Sequence, residues 1–336
     1  MHLMIPQISV IIPVYNCVNY LQECLDSVLN QKNVSIEVIL VNDGSTDGSE
    51  IIAMNYAKKD ARITLINQEN SGVSAARQVG INKSIGEYIT FVDADDTLPE
   101  NALKELYVNN EQYDMVVGHL YFVYADGKKK NVGTKPHIAD KITFIKKLLL
   151  AEIFVGPYAR ITKRTLFDEN TSNIPREIIT GEDTILNIRI GTKLATYKYI
   201  DNVVYNYKIG VPNSLFTSTK TTLSSVKERW PLMVQPLIDA SIIDLYKNEL
   251  LWIKAINLLM VLNCQYTLDT NDEFVKETIS DVKKLKWSIK NSRIKLTFFL
   301  LKKSMLNKNI IIMLRYIQKM LHLCLRLVGQ GHYTSI

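Results

Sequence analysis

Two aspartates separated by one residue stand where a predicted strand ends, in the run Asp93-Ala-Asp-Asp96. Carboxylates at positions i and i+2 can hold a hard divalent cation through oxygen, while a phosphate supplies further ligands. Such a cation would offset the charge on a departing diphosphate. The run Asp96-Thr-Leu-Pro99 also fits a helix start, because it offers a capping residue and a proline in the first turn. The pattern alone therefore leaves metal binding and helix capping open.

Three further clusters have both a chemical and a structural interpretation. Asp43-Gly-Ser-Thr-Asp47 could contact a ligand, but it also has the composition of a turn followed by capping residues. Asn70-Ser-Gly-Val-Ser-Ala-Ala-Arg77 leads into a helix whose first N–H groups and arginine match a pyrophosphate, or it is an ordinary cap. Glu182-Asp183 follows Gly181 at another predicted helix start, where Asp183 either caps the helix or faces a cleft.

The elements that must position these clusters alternate between strand and helix. Apolar, β-branched runs predict strands at 8–14, 36–41, 63–66, 88–92 and 114–118, and helical spacing predicts helices at 20–29, 49–59, 73–84 and 98–108. This order predicts an α/β fold with a mostly parallel sheet covered by helices on both faces. Ligands of such sheets bind outside the carboxyl ends of the strands, where the residues at 15–16, 43–45 and 93–96 all fall.

The rest of the chain reads differently. We expect a polar loop at 128–135 and mixed helix and strand at 142–207. Beyond about residue 214, apolar periodicity predicts helices alone, at 223–233, 242–266, 272–284 and 290–328. We therefore expect two domains, residues 1–215 and a helical region at 216–336.

Charge is distributed unevenly along the chain. Residues 283–336 contain 12 Lys and Arg and no Asp or Glu, which leaves 28 basic and 34 acidic residues in 1–282. An acidic body with a basic tail indicates attraction to an anionic surface. Because Gly-rich or aromatic RNA-binding motifs are missing, we expect a membrane and no nucleic acid.

The predicted helix at 310–328 is apolar apart from one cationic stripe, formed by Arg315, Lys319, His322 and Arg326. This pattern is typical of a helix in a membrane interface, and equally of a core helix with one solvated face. Its charges argue against a transmembrane span. The residues before Ile8 do not resemble a signal peptide and the four cysteines have no CxxC spacing, so we expect a cytoplasmic protein, peripheral on the inner face of the plasma membrane.

Taken together, the motifs resemble family 2 glycosyltransferases of GT-A fold, in particular bacterial enzymes of capsule, exopolysaccharide or lipooligosaccharide synthesis. The resemblance rests on Ser9–Asn16, Val41–Asp47, Asn70–Gly80 and Phe91–Asp96, in that order, and continues more weakly through Tyr158–Phe167, Gly181–Asp183 and Tyr205–Ser214.

The resemblance implies roles for single residues. Asp43 would hydrogen-bond the uracil ring, and the nucleotide site would also comprise Pro13, Tyr15 and Asn16 as the floor under the base, with Gly44, Ser45, Gly72, Ala75, Arg77, Asp93 and Ala94. Asp95 would bind the metal directly, and Asp93 would meet the ribose or a metal-bound water. Of Glu182 and Asp183, usually the aspartate is the base that deprotonates the acceptor hydroxyl. Lys208 stands where many relatives have arginine. Lysine supplies a positive charge, but it cannot bind the diphosphate through two N–H groups at once as arginine does.

We therefore expect an inverting enzyme that moves a hexose or N-acetylhexosamine from a UDP-sugar to a hydroxyl of an undecaprenyl-linked surface glycan, with Mn²⁺ or Mg²⁺ as cofactor. Inversion follows from one displacement with a carboxylate base. A sugar-phosphate or polyol-phosphate transferase of the same fold is the alternative. A nucleotidyltransferase would be expected to carry a Gly-rich basic loop where this chain has Tyr15-Asn-Cys17, and an inactive glycan-binding scaffold to lack Asp95 or Asp183. The sequence makes no prediction of oligomeric state.

Overall fold

The computed structural model describes residues 5–110, 112–211, 221–265, 268–269 and 271–284. Within these residues one nine-stranded sheet forms, with strands β1 Ile8–Val14, β2 Ile36–Asp43, β3 Ile63–Gln68, β4 Tyr88–Phe91, β5 Met115–Val123, β6 Lys129–Val132, β7 His137–Asp140, β8 Arg160–Lys163 and β9 Thr196–Lys208. The α-helices are α1 Leu21–Leu29, α2 Ser49–Lys59, α3 Val73–Lys83, α4 Ala102–Val108, α5 Lys141–Leu149, α6 Glu182–Lys193, α7 Leu223–Asp239, α8 Lys247–Gln265 and α9 Glu273–Lys284.

The strand order is β3-β2-β1-β4-β8-β5-β9-β7, with β6 paired to β5. The first four strands are parallel, as predicted, and so is the pair of β5 and β9. β8 runs antiparallel to β4 and β5, and β6 and β7 are also antiparallel to their partners. The α/β fold is thus confirmed with a mixed sheet, whose parallel part carries the loops after β1, β2 and β4 side by side.

Alternating side chains of β2 explain why both faces of the parallel part are covered. Val38 and Leu40 join the core cluster that contains α1, α2 and α4 residues, whereas Ile39 and Val41 pack with Ala76 of α3. A strand that buries both faces needs an apolar residue at every position. That requirement produces the continuous apolar runs from which the strands were predicted.

One local expectation was wrong, and one alternative left open by the sequence does not hold. Residues 129–132, predicted as loop, form β6, which pairs antiparallel with β5. Its side chains alternate between exposed and half-buried, so the strand has no apolar signal. Asp96 does not cap a helix either: α4 begins only at Ala102, after Asn101 with a φ of 61°.

The chain forms two compact units, Met1–Thr219 with Pro231–Tyr246, and Lys220–Trp230 with Lys247–Ile336. In the second unit Leu258 of α8 packs against Val275 and Ile279 of α9. No helix in the described residues has the length and apolarity needed to cross a membrane. The predicted helix at 290–328, with its basic stripe, lies outside the described residues.

Candidate active site

The loops after β1 and β2 are tied together by hydrogen bonds. Thr46 N donates to Asn16 Oδ1 over 2.8 Å, and Asn16 N donates to Ser45 Oγ over 3.2 Å. Asn16 has a φ of 51° and Tyr15 is 50% exposed, so the Tyr15 ring projects from the sheet edge. Pro13 lies in β1, paired with Val41 of β2. The loops after β1 and β2 are thus joined at the edge of the sheet, next to the exposed Tyr15.

Asp43 is buried and holds the loop that precedes α3. Its Oδ1 accepts from Gln68 Nε2 at 2.7 Å and from Ser71 N at 2.8 Å, and its Oδ2 accepts from Gly72 N at 2.8 Å. Gly44 is required here, because its φ is 72° and a Cβ would lie 2.9 Å from Asn70 N. These three bonds occupy most of the acceptor capacity of the carboxylate, so Asp43 fixes the backbone of Ser71 and Gly72.

The turn at 93–96 is anchored to β9. Tyr205 Oη donates to Asp96 Oδ2 at 2.8 Å and accepts from Asp93 N at 3.0 Å, while Lys208 N donates to Asp96 Oδ1 at 2.7 Å. Asp96 and Ala94 are buried. Asp93 and Asp95 are only half-buried, which leaves their carboxylates at the edge where β1, β2 and β4 end.

Arg77 connects this turn to the acidic pair at the start of α6. Its Nη2 lies 3.2 Å from Asp93 Oδ1 and its Nη1 lies 2.8 Å from Asp183 Oδ1. The Arg77 side chain is 4% exposed, and those of Asp93 and Asp183 are 26% and 23% exposed. Two partly exposed carboxylates thus share one buried guanidinium. Ala75 is half-buried in the first turn of α3, ahead of Arg77.

The cations near this site do not keep the pKa values of its buried carboxylates at their ordinary level. Burial and the charge of Asp93 raise the pKa of Asp95 to about 6, and burial together with Asp183 raises the pKa of Glu182 to about 8. Burial also raises the pKa of Asp183, although Arg77 opposes the shift. Asp183 and Asp93 in turn raise the pKa of Arg77 despite its burial. Perturbed acids of this kind cluster at functional sites.

Few side chains at this edge are placed to hold a divalent cation. Among the described residues, no group of three or more His, Cys, Asp or Glu side chains is placed to hold a metal. Asp96 is committed to Tyr205 and Lys208, so Asp93 and Asp95 are the carboxylates left for one. Oxygen ligands at i and i+2 match Mg²⁺ or Mn²⁺ in kind but not in number, which fits a cation shared with a diphosphate.

Lys208 lies at the same edge. Its Nζ donates to Glu23 Oε2 at 2.6 Å and stands 5.4 Å from the centroid of the Tyr20 ring. Its charge lowers the pKa of Asp95, against the larger effect of burial. Lysine therefore supplies a cation near the turn at 93–96, although in this structure Glu23 holds it.

Several side chains that support the site were not predicted. Arg176 donates through Nη1 and Nη2 to the backbone and side-chain oxygens of Asn70, both at 2.7 Å, and so fixes the loop held by Asp43. Arg160 is buried and donates to Asn187 Oδ1, and Asn187 donates back to Asp183 O at the start of α6. Arg176 lies in an irregular exposed segment without a motif. Arg160 has the pattern of an ordinary strand residue. The local sequence therefore did not identify either arginine as part of the site.

Cys17 and Cys24 lie near the site as unpaired thiols. Burial raises the pKa of Cys17 to about 12, with a further contribution from Asp95. A thiol with such a pKa is protonated at neutral pH, so Cys17 is not a nucleophile.

Residues 9–170 match the model of Glycosyl transferase family 2. Glycosyltransferase GlyA of Streptococcus pneumoniae serotype 4 is 32% identical over 70% of this chain and 33% of its own length, and GlyG of the same organism is 44% identical over 48% of this chain and 58% of its own. The uncharacterized glycosyltransferase EpsJ of Bacillus subtilis is 34% identical over 63% of each chain. This chain thus spans between a third and somewhat under two thirds of these relatives.

The solved structure of S. aureus TarS 1-349 in complex with UDP-GlcNAc superimposes with a TM-score of 0.64 at 17% identity, over 98% of this chain and 94% of that one. A second structure of the same protein, in complex with UDP, gives a TM-score of 0.56. At this level of identity the likeness establishes the shared fold.

Proposed function

The chain belongs to glycosyl transferase family 2, and we propose that it transfers a hexose or N-acetylhexosamine from a UDP-sugar to a hydroxyl of a lipid-linked bacterial surface glycan. One observation carries the proposal. Arg77 contacts both Asp93, at the carboxyl end of the parallel strands, and Asp183, at the start of α6. A carboxylate suited to the nucleotide and metal therefore stands close to a carboxylate suited to proton removal, as glycosyl transfer requires.

UDP as the nucleotide is supported by two observations. TarS, which shares the fold, was crystallised with UDP and with UDP-GlcNAc. In this chain the loops after β1 and β2 carry an exposed Tyr15 and a buried Asp43. We assign the base to these loops, with Pro13, Tyr15, Asn16, Gly44 and Ser45, and the diphosphate to the side of Gly72, Ala75 and Ala94.

The mechanism we propose is a single in-line displacement. Asp183 accepts the proton of the acceptor hydroxyl, whose oxygen bonds to the anomeric carbon while the bond from that carbon to the diphosphate oxygen breaks. UDP leaves, and the anomeric configuration inverts. A base is needed because a sugar hydroxyl is a weak nucleophile at neutral pH, and positioned proton removal contributes about 10²–10⁴ in rate.

Asp93 and Asp95 would hold a divalent cation, Mn²⁺ or Mg²⁺, together with the diphosphate of the donor. The cation would offset the charge that develops on the departing diphosphate. The protein supplies the oxygen ligands, and Lys208 adds a positive charge beside them.

A transfer assay with a panel of nucleotide sugars and a lipid-linked acceptor tests this function. We expect UDP release and glycan extension with at least one UDP-hexose or UDP-N-acetylhexosamine, complete loss of turnover in excess EDTA, and recovery with Mn²⁺ or Mg²⁺. Transfer of a sugar phosphate to the acceptor, instead of a sugar, would show that the chain is a sugar-phosphate transferase. Full activity in EDTA would remove the metal from the mechanism.

The acceptor also bears on where the protein works and on what each of its two predicted domains does. A lipid-linked acceptor lies at a membrane, and the basic segment at 283–336 provides the charge for attachment to an anionic inner leaflet. We propose that 1–215 performs transfer and that 216–336 brings it to the membrane surface.

A further inference from the structure

We propose that Arg77 is a positioning residue, which fixes the carboxylate of the base Asp183 relative to the Asp93 side of the site rather than binding the donor itself. The proposal rests on the function proposed above, because it assigns Arg77 a part in the same transfer. It concerns one guanidinium that joins two halves of the site otherwise far apart in sequence.

The geometry places the two carboxylates on different nitrogens of Arg77. Nη1 pairs with Asp183 at 2.8 Å and Nη2 with Asp93 at 3.2 Å, across separations of 106 and 16 residues. Because the guanidinium is planar and rigid, these two contacts set the distance and the relative orientation of the carboxylates. A lysine ammonium is a single charged centre on a flexible stem and cannot impose the same arrangement.

Arg77 is itself held in place. Its side chain is 4% exposed, its Nε is buried without a hydrogen-bond partner, and its Cζ stands 5.9 Å from the centroid of the Phe91 ring at the end of β4. An enclosed side chain presents little surface to a ligand. This burial favours positioning over direct contact with the nucleotide, the role implied by the family resemblance.

Asp183 has a second support on its backbone side. Asn187, one turn further along α6, donates Nδ2 to Asp183 O at 2.9 Å and accepts from the buried Arg160. The start of α6 is thus fixed through its backbone, whereas its carboxylate is fixed by Arg77. Removing Arg77 should therefore disturb the orientation of the base without moving the helix.

The test compares Arg77→Gln, Arg77→Lys, Asp183→Asn and the double variant Arg77→Gln/Asp183→Asn with wild type. Turnover and donor KM are measured at saturating Mn²⁺, and UDP affinity is measured by calorimetry. Arg62→Gln is the matched control, because Arg62 also pairs with one aspartate, Asp60, at 2.7 Å, but at an exposed surface.

We expect Arg77→Gln to lower kcat by about 10²-fold, the scale of an error of about 1 Å in position. UDP affinity and donor KM should stay within about threefold of wild type. In the Asp183→Asn background the same substitution should lower kcat by less than about threefold, because the base through which Arg77 acts is already gone. Arg77→Lys should recover part of the loss, and Arg62→Gln should leave kcat unchanged.

The opposite pattern would overturn the proposal. A tenfold or greater loss of UDP affinity, with losses that multiply in the double variant, would make Arg77 a donor ligand. If Arg77→Gln does not fold, Arg77→Lys takes its place in the test. A reduced kcat with intact UDP affinity in Arg77→Lys supports the positioning role, and a wild-type kcat refutes it. An inactive wild-type protein would contradict the proposed function as a whole, whereas an active wild type with multiplicative losses contradicts the positioning role alone.

Discussion

Asp183 and Glu182 are adjacent in sequence, but their environments separate their roles. Asp183 contacts the Arg77 guanidinium, which opposes the effect of burial on its pKa. Burial raises the pKa of Glu182 to about 8, with Asp183 as the next contribution. Asp183 is therefore the carboxylate that the guanidinium pairs directly, a contact that favours the ionised form a general base requires.

We predict that Asp183→Asn lowers turnover by two or more orders of magnitude while donor affinity stays nearly unchanged, since proton transfer is lost and geometry is kept. Single-turnover kinetics and donor titration measure the two effects. Asp168→Asn serves as a control, because Asp168 pairs with Lys193 outside the site. If Asp183→Asn retains a third of wild-type turnover, Asp183 is not the base, and Glu182 becomes the next candidate.

We predict that Glu182 makes the protein less stable as pH rises. The folded protein holds the Glu182 proton with a pKa of about 8, above the ordinary value of 4.5. Its contribution to stability is therefore fully present below about pH 4.5 and is lost as pH rises through about 8. Replacing Glu182 by glutamine removes this dependence.

Melting curves of Glu182→Gln and wild type between pH 5 and pH 9 measure the effect. We expect the Tm of Glu182→Gln, measured relative to the Tm of wild type at the same pH, to rise by several degrees between pH 5 and pH 9. Glu177→Gln, at an exposed position in the preceding loop, should track wild type throughout. A constant difference between the Glu182→Gln and wild-type curves would show that burial does not control this group.

At the scale of elements, β9 anchors the turn that carries Asp93 and Asp95. Tyr205 Oη bonds both Asp96 and the backbone of Asp93, and its ring stacks on Tyr158 with a centroid separation of 4.7 Å. The turn is thus held by a strand more than a hundred residues later in the chain. This hydrogen bonding, and not helix capping by Asp96, holds the turn in place.

Tyr205→Phe should lower the free energy of unfolding by about 1–3 kcal/mol, because the buried Asp96 loses one donor and Asp93 N loses its acceptor. Urea denaturation measures this change. Tyr107→Phe is the matched control, since the Tyr107 hydroxyl bonds Glu87 at an exposed position, and it should cost less than about 0.5 kcal/mol. Equal losses in the two variants would refute the anchoring role of Tyr205.

At the scale of the whole molecule, we propose that the basic segment at 283–336 determines where the protein works. We predict that the full chain sediments with anionic vesicles and is released by salt, because the charges and the apolar face of the helix predicted at 310–328 would act together. Deleting 308–336 should weaken this binding and reduce use of lipid-linked acceptors, while UDP binding and transfer to short soluble acceptors remain.

The control replaces Arg315, Lys319 and Arg326 together by glutamine and leaves the segment otherwise complete. It should also weaken vesicle binding, without a change in Tm. If the truncation instead lowers Tm sharply and leaves vesicle binding unaltered, the segment is a core helix and the membrane interpretation fails.

The sequence by itself determined the parallel part of the sheet. β1, β2 and α2 were predicted to within two residues, because a strand covered on both faces needs an unbroken apolar run and a helix needs a 3.6-residue period. Both signals lie in neighbouring residues and are visible without the fold. The same holds for the carboxylate pair of Asp93 and Asp95, which one short turn contains. The domain boundary and the roles of the site residues stay predictions.

Tertiary structure alone decided which side chains meet. Arg77 joins Asp183 across 106 residues and Tyr205 bonds Asp96 across 109, contacts that no local pattern encodes. The β6 strand at 129–132 was missed because an exposed edge strand has no need of apolar residues. Local periodicity reports what each segment buries, whereas the site depends on which segments the sheet order brings side by side, and that order is set by long-range packing.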